Sequence, residues 1–571
     1  MKYKELCEVY EKLESTSKGL EKTKIIADFL PLIKDRPDEI YLLQGKIFPD
    51  YDSRELGISF QLIIKAISKA SGYSEEEVVK KYKKLGDLGL AVEELYKNKR
   101  QNSLFFSELT IEKIFLNLSK IPLFLGKGTV SMKIDLIVDL LQNAKPIEAK
   151  YLVRLVLGEM RIGVGEGILR DAIIEFCFKP NDINEKKEYI LKVQEAYDKT
   201  NDFSLVFQKS CLNKLDEIEL SVGKPVKVML YPKAKDAEDA FRIVGKPAAF
   251  EYKYDGFRMM INKLEDGEVR IFTRRLEEVS EQFPDIIEFV KKYIDAKSFI
   301  VDCEAVGYDS VNKKYKTFQN ISQRIKRKYE IEKLIKEIPV ALRIFDVIYY
   351  NGKSYLDKSY EERRRLLEKI VKEKDWEVLL AKRIVTDNLE EAEEFFREAL
   401  DDGQEGLMVK GLDKLYKPGA RIGYGVKWKP IDKDFDLVIT GAEWGNGKRA
   451  GWLTSFDVSC KDENDNLLEI GKVGSGIKEK LDGDLSFEEL TELLKPLITK
   501  EQGKHIQVKP EIIVTIQYQN IQKSPSYSSG YALRFPRIKN LRPDRSITDV
   551  ATINEIEKEV GEWVEEKRKR S

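Results

Sequence analysis

The spacing of apolar residues changes twice along this chain, near residue 221 and near Pro430, and one core cannot serve three such textures. Residues 1 to about 220 carry apolar positions at helical spacing, as in Leu6-Val9-Tyr10-Leu13 and Ile25-Ile26-Phe29-Leu30, with Glu and Lys between them. Segments 60–71 and 151–157 repeat the pattern, and the glycines of 158–167 (GEMRIGVGEG) interrupt it. From 221 onward, β-rich runs at 247–252, 269–273, 298–307 and 340–350 alternate with charged helical stretches such as 360–374. From 435 to 545 the text is short strands and glycine-rich turns, followed by a charged helical tail over 555–570. The expectation is a multidomain chain. An all-α domain spans 1–220, an α+β domain 221–430, and a C-terminal β-barrel with a terminal helix 431–571.

The rest of the composition mainly excludes. Lys+Arg and Asp+Glu both number 99, so the chain is no globally basic coat, although a basic groove remains open to it. The start, MKYKELCEVY, has no apolar h-region, and no apolar run approaches 18 residues. A cytoplasmic, membrane-free protein is expected. The five cysteines are scattered without a CxxC, which disfavours a zinc cluster or a disulfide framework. The single histidine, His505, leaves no partner for a His-based triad and is read as structural. A Walker A loop is absent, because Gly158 and Gly163 are followed by Val164. The glycines of 471–476 read as a barrel turn.

The chemistry gathers around Lys253, in EYKYDGFR. This lysine ends an apolar run just before Asp255-Gly256, where burial and nearby cations can free an amine as a nucleophile. KxDG alone is weak, but further groups follow in order at Arg274, Glu304, Phe345, Glu405 and Lys427-Trp428-Lys429. Each acid or base lies at the end of an apolar β-like run, where a sheet presents groups to a shared cleft. Arg258, Arg274, Lys427 and Lys429 can neutralise phosphates. Glu304 and Glu405 can hold Mg²⁺, which takes one or two carboxylates plus substrate phosphates. Phe345 can stack on a base.

This set resembles the covalent nucleotidyltransferases, and most closely the archaeal-type ATP-dependent DNA ligases. Flanking text supports the resemblance: RIGVGEG at 161–167, YKPGAR at 416–421, VKWKP at 426–430 and ALRFPR at 532–537. The resemblance implies a DNA-binding helical domain, an ATP-grasp-like adenylation domain and an OB-fold. It implies nick sealing in duplex DNA, with ATP and Mg²⁺ or another divalent cation, through a Lys253-AMP intermediate and a DNA-adenylate, in replication, repair and recombination. Lys253 is then the catalytic nucleophile and Asp255 and Gly256 shape its turn. Glu251, Arg258, Arg274, Glu304, Phe345, Arg421 and Lys427 meet the nucleotide, Glu304 and Glu405 meet the metal, and Lys429 assists. The chain departs from the family pattern at Cys303, where a glycine is usual, at Thr515, where Glu is usual, and at Arg545, where RxDK has Lys. The PVKVMLYPK entry also differs.

Rival readings are an RNA ligase or capping enzyme, against which the helical domain and ALRFPR argue, and a non-catalytic DNA-binding scaffold. An NAD⁺-dependent ligase would need a cysteine zinc cluster. Gln101, Leu104, Phe105 and Phe106, in QNSLFF, resemble a sliding-clamp peptide, with two core phenylalanines as the alternative. The 324–328 cluster, RIKRK, reads as basic surface or a solvated helix face. A monomer is expected.

Overall fold

The computed structural model describes the chain except residues 53, 55, 102–106, 125–127, 317–320, 322–323, 325–329, 420–422, 431–432, 446–448, 450, 480–484 and 570–571, and except side chains from 562 onward. It divides into two compact units, Met1–Trp428 and Lys429–Ser571. The helical and mixed regions therefore belong to one unit, and the barrel to the other.

The first two hundred residues are helices around one core. Their ends follow from local chemistry. Ser74 accepts from the Glu77 amide while Glu77 returns to Ser74, closing a capping box, and Gly86 ends that helix in the left-handed region at φ 68°. Helices Leu88–Lys97 and Pro146–Leu157 cross closely: a Cβ on Gly89 would lie 2.8 Å from Arg154 Cγ. Arg154 is buried there and pairs with both Asp87 and Glu14 at 3.0 Å. The 161–167 loop leads into helix Glu166–Cys177, and Lys22 donates to the carbonyls of Ile162 and Gly163 beneath it.

The helical and mixed regions meet through charge. Lys227 pairs with Glu166 at 2.5 Å and Asp198 at 3.5 Å, and Asn201 donates to Pro225 O at 2.7 Å.

The mixed region holds two sheets. One has the order Lys233–Ala234, Gly425–Trp428, Leu407–Gly411, Ala248–Tyr252, Arg383–Thr386. The other runs Val269–Thr273, Phe257–Lys263, Phe299–Gly307, Val340–Tyr350, Lys353–Ser354, with Val378–Leu380 also on Val340–Tyr350. Residues 253–256 carry the chain from one sheet to the other. The expected runs at 269–273, 298–307 and 340–350 are strands within one residue of those limits. Arg324, read as part of a basic surface, is instead fully buried and donates to Asp285 Oδ2 at 3.0 Å and Gln282 O at 3.1 Å. Its charge is satisfied internally, so spacing alone misplaced it. Residues 325–328 of that cluster lie outside the described residues.

In the second unit, five strands form a ring: Leu467–Val473, Leu453–Lys461, Lys433–Trp444, Ile513–Tyr518 and Arg537–Leu541. Ile538 N donates to Ser475 O at 2.9 Å and closes it, as an OB-type barrel requires. The unusual Thr515 and Arg545 meet one group here. Thr515 Oγ1 donates to Asp436 Oδ1 at 2.5 Å, and Arg545 Nε lies 3.1 Å from Asp436 Oδ2. Arg542 joins them at 2.9 Å. A short Thr beside Asp436 keeps one carboxylate between two guanidinium groups. His505 lies 3.6 Å from Asp457 Oδ2 on the strand His505–Val508.

Candidate active site

Lys253 stands one residue beyond strand Ala248–Tyr252. Its backbone prolongs the ladder, with Lys253 N donating to Gly406 O at 2.8 Å and Glu405 N donating to Lys253 O at 2.9 Å. The register therefore sets Lys253 beside Glu405, and the Nζ–Oε2 distance is 2.7 Å. Asp255 is buried in the following turn, its amide donating to Gln404 Oε1 at 3.3 Å. Gly256 has a packing reason: a Cβ would lie 2.5 Å from Ala305 O and 2.7 Å from Glu304 Cγ. Only a bare backbone lets the turn pass that close to the second sheet.

The second sheet supplies the facing groups. Arg258 and Glu304 are cross-strand partners, so their side chains leave the same face. Arg258 Nε donates to buried Asp302 at 2.8 Å in a two-pronged pair, and Tyr416 donates to the same carboxylate at 3.1 Å. Burial pushes the Glu304 carboxyl up to about 8, against the pull of Lys253 and Arg258. Phe345 is the extra residue of a β-bulge, because Asp302 pairs with Asp346 while Cys303 pairs with Ile344. The bulge re-aims its ring, which stays half-exposed with the Arg258 guanidinium 5.4 Å and Lys410 Nζ 5.1 Å from its centre. Cys303 is a buried core residue whose thiol donates to Met259 O at 3.3 Å. Glu304 thus sits inside its strand, not at its end as the sequence pattern suggested.

Glu251 lies deeper than its neighbours. Its carboxylate is buried and takes a 2.5 Å ion pair from buried Lys410 and a hydrogen bond from Tyr360, with Arg364 at 4.0 Å. Its carboxylate is satisfied by these internal partners and can brace the cleft wall. Lys427 lies in the same cross-strand row as Met408 and Glu251, on the face that carries Lys253. Arg274 follows the end of strand Val269–Thr273 and is exposed. Lys429 begins the second unit. Arg421 lies outside the described residues, as do Leu104, Phe105 and Phe106 of the proposed clamp peptide.

Sequence reasoning assigned no role to Lys410, Tyr360, Arg364, Asp302, Tyr416 or the Arg363–Asp346 pair, whose closest contact is 2.7 Å. The acids and bases among them were legible as charges in apolar runs, but their partners lie far along the chain.

Among the described residues no group of three or more His, Cys, Asp or Glu side chains forms a metal cage. Glu304 and Glu405 are oxygen donors facing Lys253 and Arg258. That set fits a metal held by one or two carboxylates together with nucleotide phosphates.

Family models match almost in series: DNA ligase N terminus over 2–174, ATP dependent DNA ligase domain over 228–429, and ATP dependent DNA ligase C terminal region over 449–545. A DNA ligase of Nanoarchaeum equitans is 46% identical over 561 residues, covering 97% of this chain and 98% of the relative. The chain belongs to the ATP-dependent DNA ligase family. A DNA ligase of Thermococcus fumicolans is 44% identical, covering 97% and 98% of the two chains. The solved structure described as "Pmar-Lig_PreS3" shares the fold, with a TM-score of 0.54 at 17% identity, covering 94% of this chain and 99% of its own. As a member of this family the ligase seals nicks in DNA with ATP and a divalent metal, releasing AMP and diphosphate. Among the described residues no helix is long and apolar enough to cross a membrane.

Proposed function

We propose that Lys253 is the residue this ligase adenylates. The observation that carries the reading is its placement: a partly exposed amine at a strand end, aimed by Glu405 at 2.7 Å, with Arg258 and Glu304 facing it from a second sheet. The Lys253 nitrogen attacks the α-phosphorus of ATP, the bond to diphosphate breaks, and the amine loses a proton as the P–N bond forms. An oxygen of the 5′-phosphate at the nick then attacks the AMP phosphorus, the P–N bond breaks, and the lysine nitrogen takes back a proton. The 3′-hydroxyl attacks that phosphate and AMP leaves. Arg258 and Lys427 stabilise charge on the phosphate oxygens, and Phe345 stacks on adenine. Arg274 and Arg421 add phosphate contacts and Lys429 assists. Glu304 and Glu405 would hold the divalent cation, which when bound would supply Lewis-acid neutralisation of phosphate charge.

The helical region 1–220 would grip DNA, 221–430 adenylate, and 431–571 act as the OB-fold. The 161–167 loop supports the first role. Gly165 has φ −97°, and a Cβ on Gly165 or Gly167 would meet nothing within 4 Å. Nothing among the described residues demands glycine at either position, whereas a closely approaching phosphate would. Such backbone binding is sequence-independent and weakens steeply with salt. A monomer acting at the cytoplasmic nucleoid, with a sliding clamp engaging Gln101, Leu104, Phe105 and Phe106, completes the reading.

The test is a pulse and chase with ATP labelled on the α-phosphate. Label should attach to the chain, map to Lys253, and leave as AMP when nicked duplex DNA is added. Label on another residue, or discharge only by nicked RNA, would overturn the assignment.

A further inference from the structure

Two cysteines that the reaction does not use end neighbouring helices. Cys177 closes Glu166–Cys177 and Cys211 closes Phe203–Cys211. Both are partly exposed, unlike the buried Cys7, Cys303 and Cys460. Their sulfurs lie 3.3 Å apart across 34 positions of sequence. We propose that Cys177 and Cys211 form a reversible disulfide site, which ties the helix following the glycine loop to the helix that precedes the mixed region.

The geometry needs little change. A disulfide has an S–S distance of about 2.05 Å, so the sulfurs must close by roughly 1.2 Å. Each cysteine is the last residue of its helix, and left-handed residues follow shortly, Lys179 at φ 48° and Asn213 at φ 55°. The chain turns away there, so the ends can adjust without moving a helix. Phe176 and Phe207 already pack across the same junction, ring centres 6.2 Å apart.

The oxidant is a small-molecule or protein disulfide, R–S–S–R. The two thiols share a hydrogen bond, and that contact together with the charge of Lys34 favours Cys211 as the first thiolate. The Cys211 thiolate bonds to one sulfur and RS⁻ leaves. Cys177 then loses its proton and attacks Cys211 Sγ, and the second RS⁻ leaves. Two protein thiols are oxidised, one disulfide is reduced to two thiols, and the two cysteine protons pass to them.

The experiment treats the full chain with oxidised glutathione, alkylates the remaining thiols, and reads intact mass and a non-reducing peptide map. Two of the five thiols should escape alkylation, with Cys177 joined to Cys211 and no glutathione retained. The melting temperature should rise by about 5 °C or more, and dithiothreitol should reverse it. The Cys177→Ser variant should instead keep glutathione on Cys211. The Cys177→Ser/Cys211→Ser variant should seal nicks at the parental rate and show no oxidative rise. Five alkylated thiols after treatment, a glutathione adduct persisting on the parent chain, a different cysteine pairing, or a cross-linked chain with unchanged melting temperature would each overturn the proposal.

Discussion

Two lysine–glutamate pairs span the same two neighbouring strands in opposite order. Lys253 on the first strand's extension meets Glu405 ahead of the second, while Glu251 on the first meets Lys410 on the second. Their side chains are 24% and 14% exposed in the first pair, but 5% and 2% in the other. The chemistry is the same and the burial differs, and burial separates the roles. A pair at the cleft can exchange its partner for substrate or metal at modest cost. A sealed pair cannot, because either charge left alone would be uncompensated in a low-dielectric interior. The first suits the proposed reagent and the second a brace.

The contrast can be broken by substitution. Lys253→Ala should remove self-adenylation by about 10⁴-fold or more while leaving the fold intact, measured as labelled protein and as a melting curve. Sealing of a pre-adenylated nick should survive in that variant, since the step it loses is already complete. Lys410→Met should act the other way, costing about 3–5 kcal/mol of stability in a denaturant titration, with Glu251→Gln added to it recovering much of the loss. A destabilised Lys253→Ala, or a fully stable Lys410→Met, would erase the distinction between the pairs. Glu405→Gln should slow adenylation by about 10²-fold and raise the Mg²⁺ needed for half-maximal rate, with stability nearly unchanged. Tyr360→Phe, which removes one donor to Glu251, should cost about 1–2 kcal/mol in the same titration and leave the metal dependence unchanged. As a floor, Glu77→Ala in the exposed Arg100–Glu77 pair at 2.9 Å should change stability by about 0.5 kcal/mol or less.

The brace was the part hidden from the sequence. Lys253 announces itself through a turn motif four residues long, and Glu405 through the strand that follows it. Tyr360 is 109 positions from Glu251, and nothing local says that its hydroxyl is spent there. Phe345 was legible as an aromatic in an apolar run, but the bulge that re-aims it depends on the pairing of two strands. The three textures read well, because a helix and a strand imprint their own period on the chain. Arg324 read wrongly for the converse reason: it sits in a basic cluster, while its carboxylate, Asp285, lies 39 positions away. Glu251 shows both limits. It was read as a nucleotide contact, and its carboxylate faces Lys410 and Tyr360 rather than open space.

The crossing at Gly256 has a mechanical consequence. Lys253 and Arg258 belong to different sheets, but the connector between them is too short to hold slack, at no more than about 3.6 Å per residue. Residues 381–382, between Val378–Leu380 and Arg383–Thr386, make a second short link hydrogen-bonded to Tyr252, so breathing of one sheet against the other turns about both links. Displacement is smallest at a pivot and grows with distance from it. Amine and guanidinium therefore sit close to the axis, where the spacing of reacting groups holds steady while the outer rims of the sheets swing.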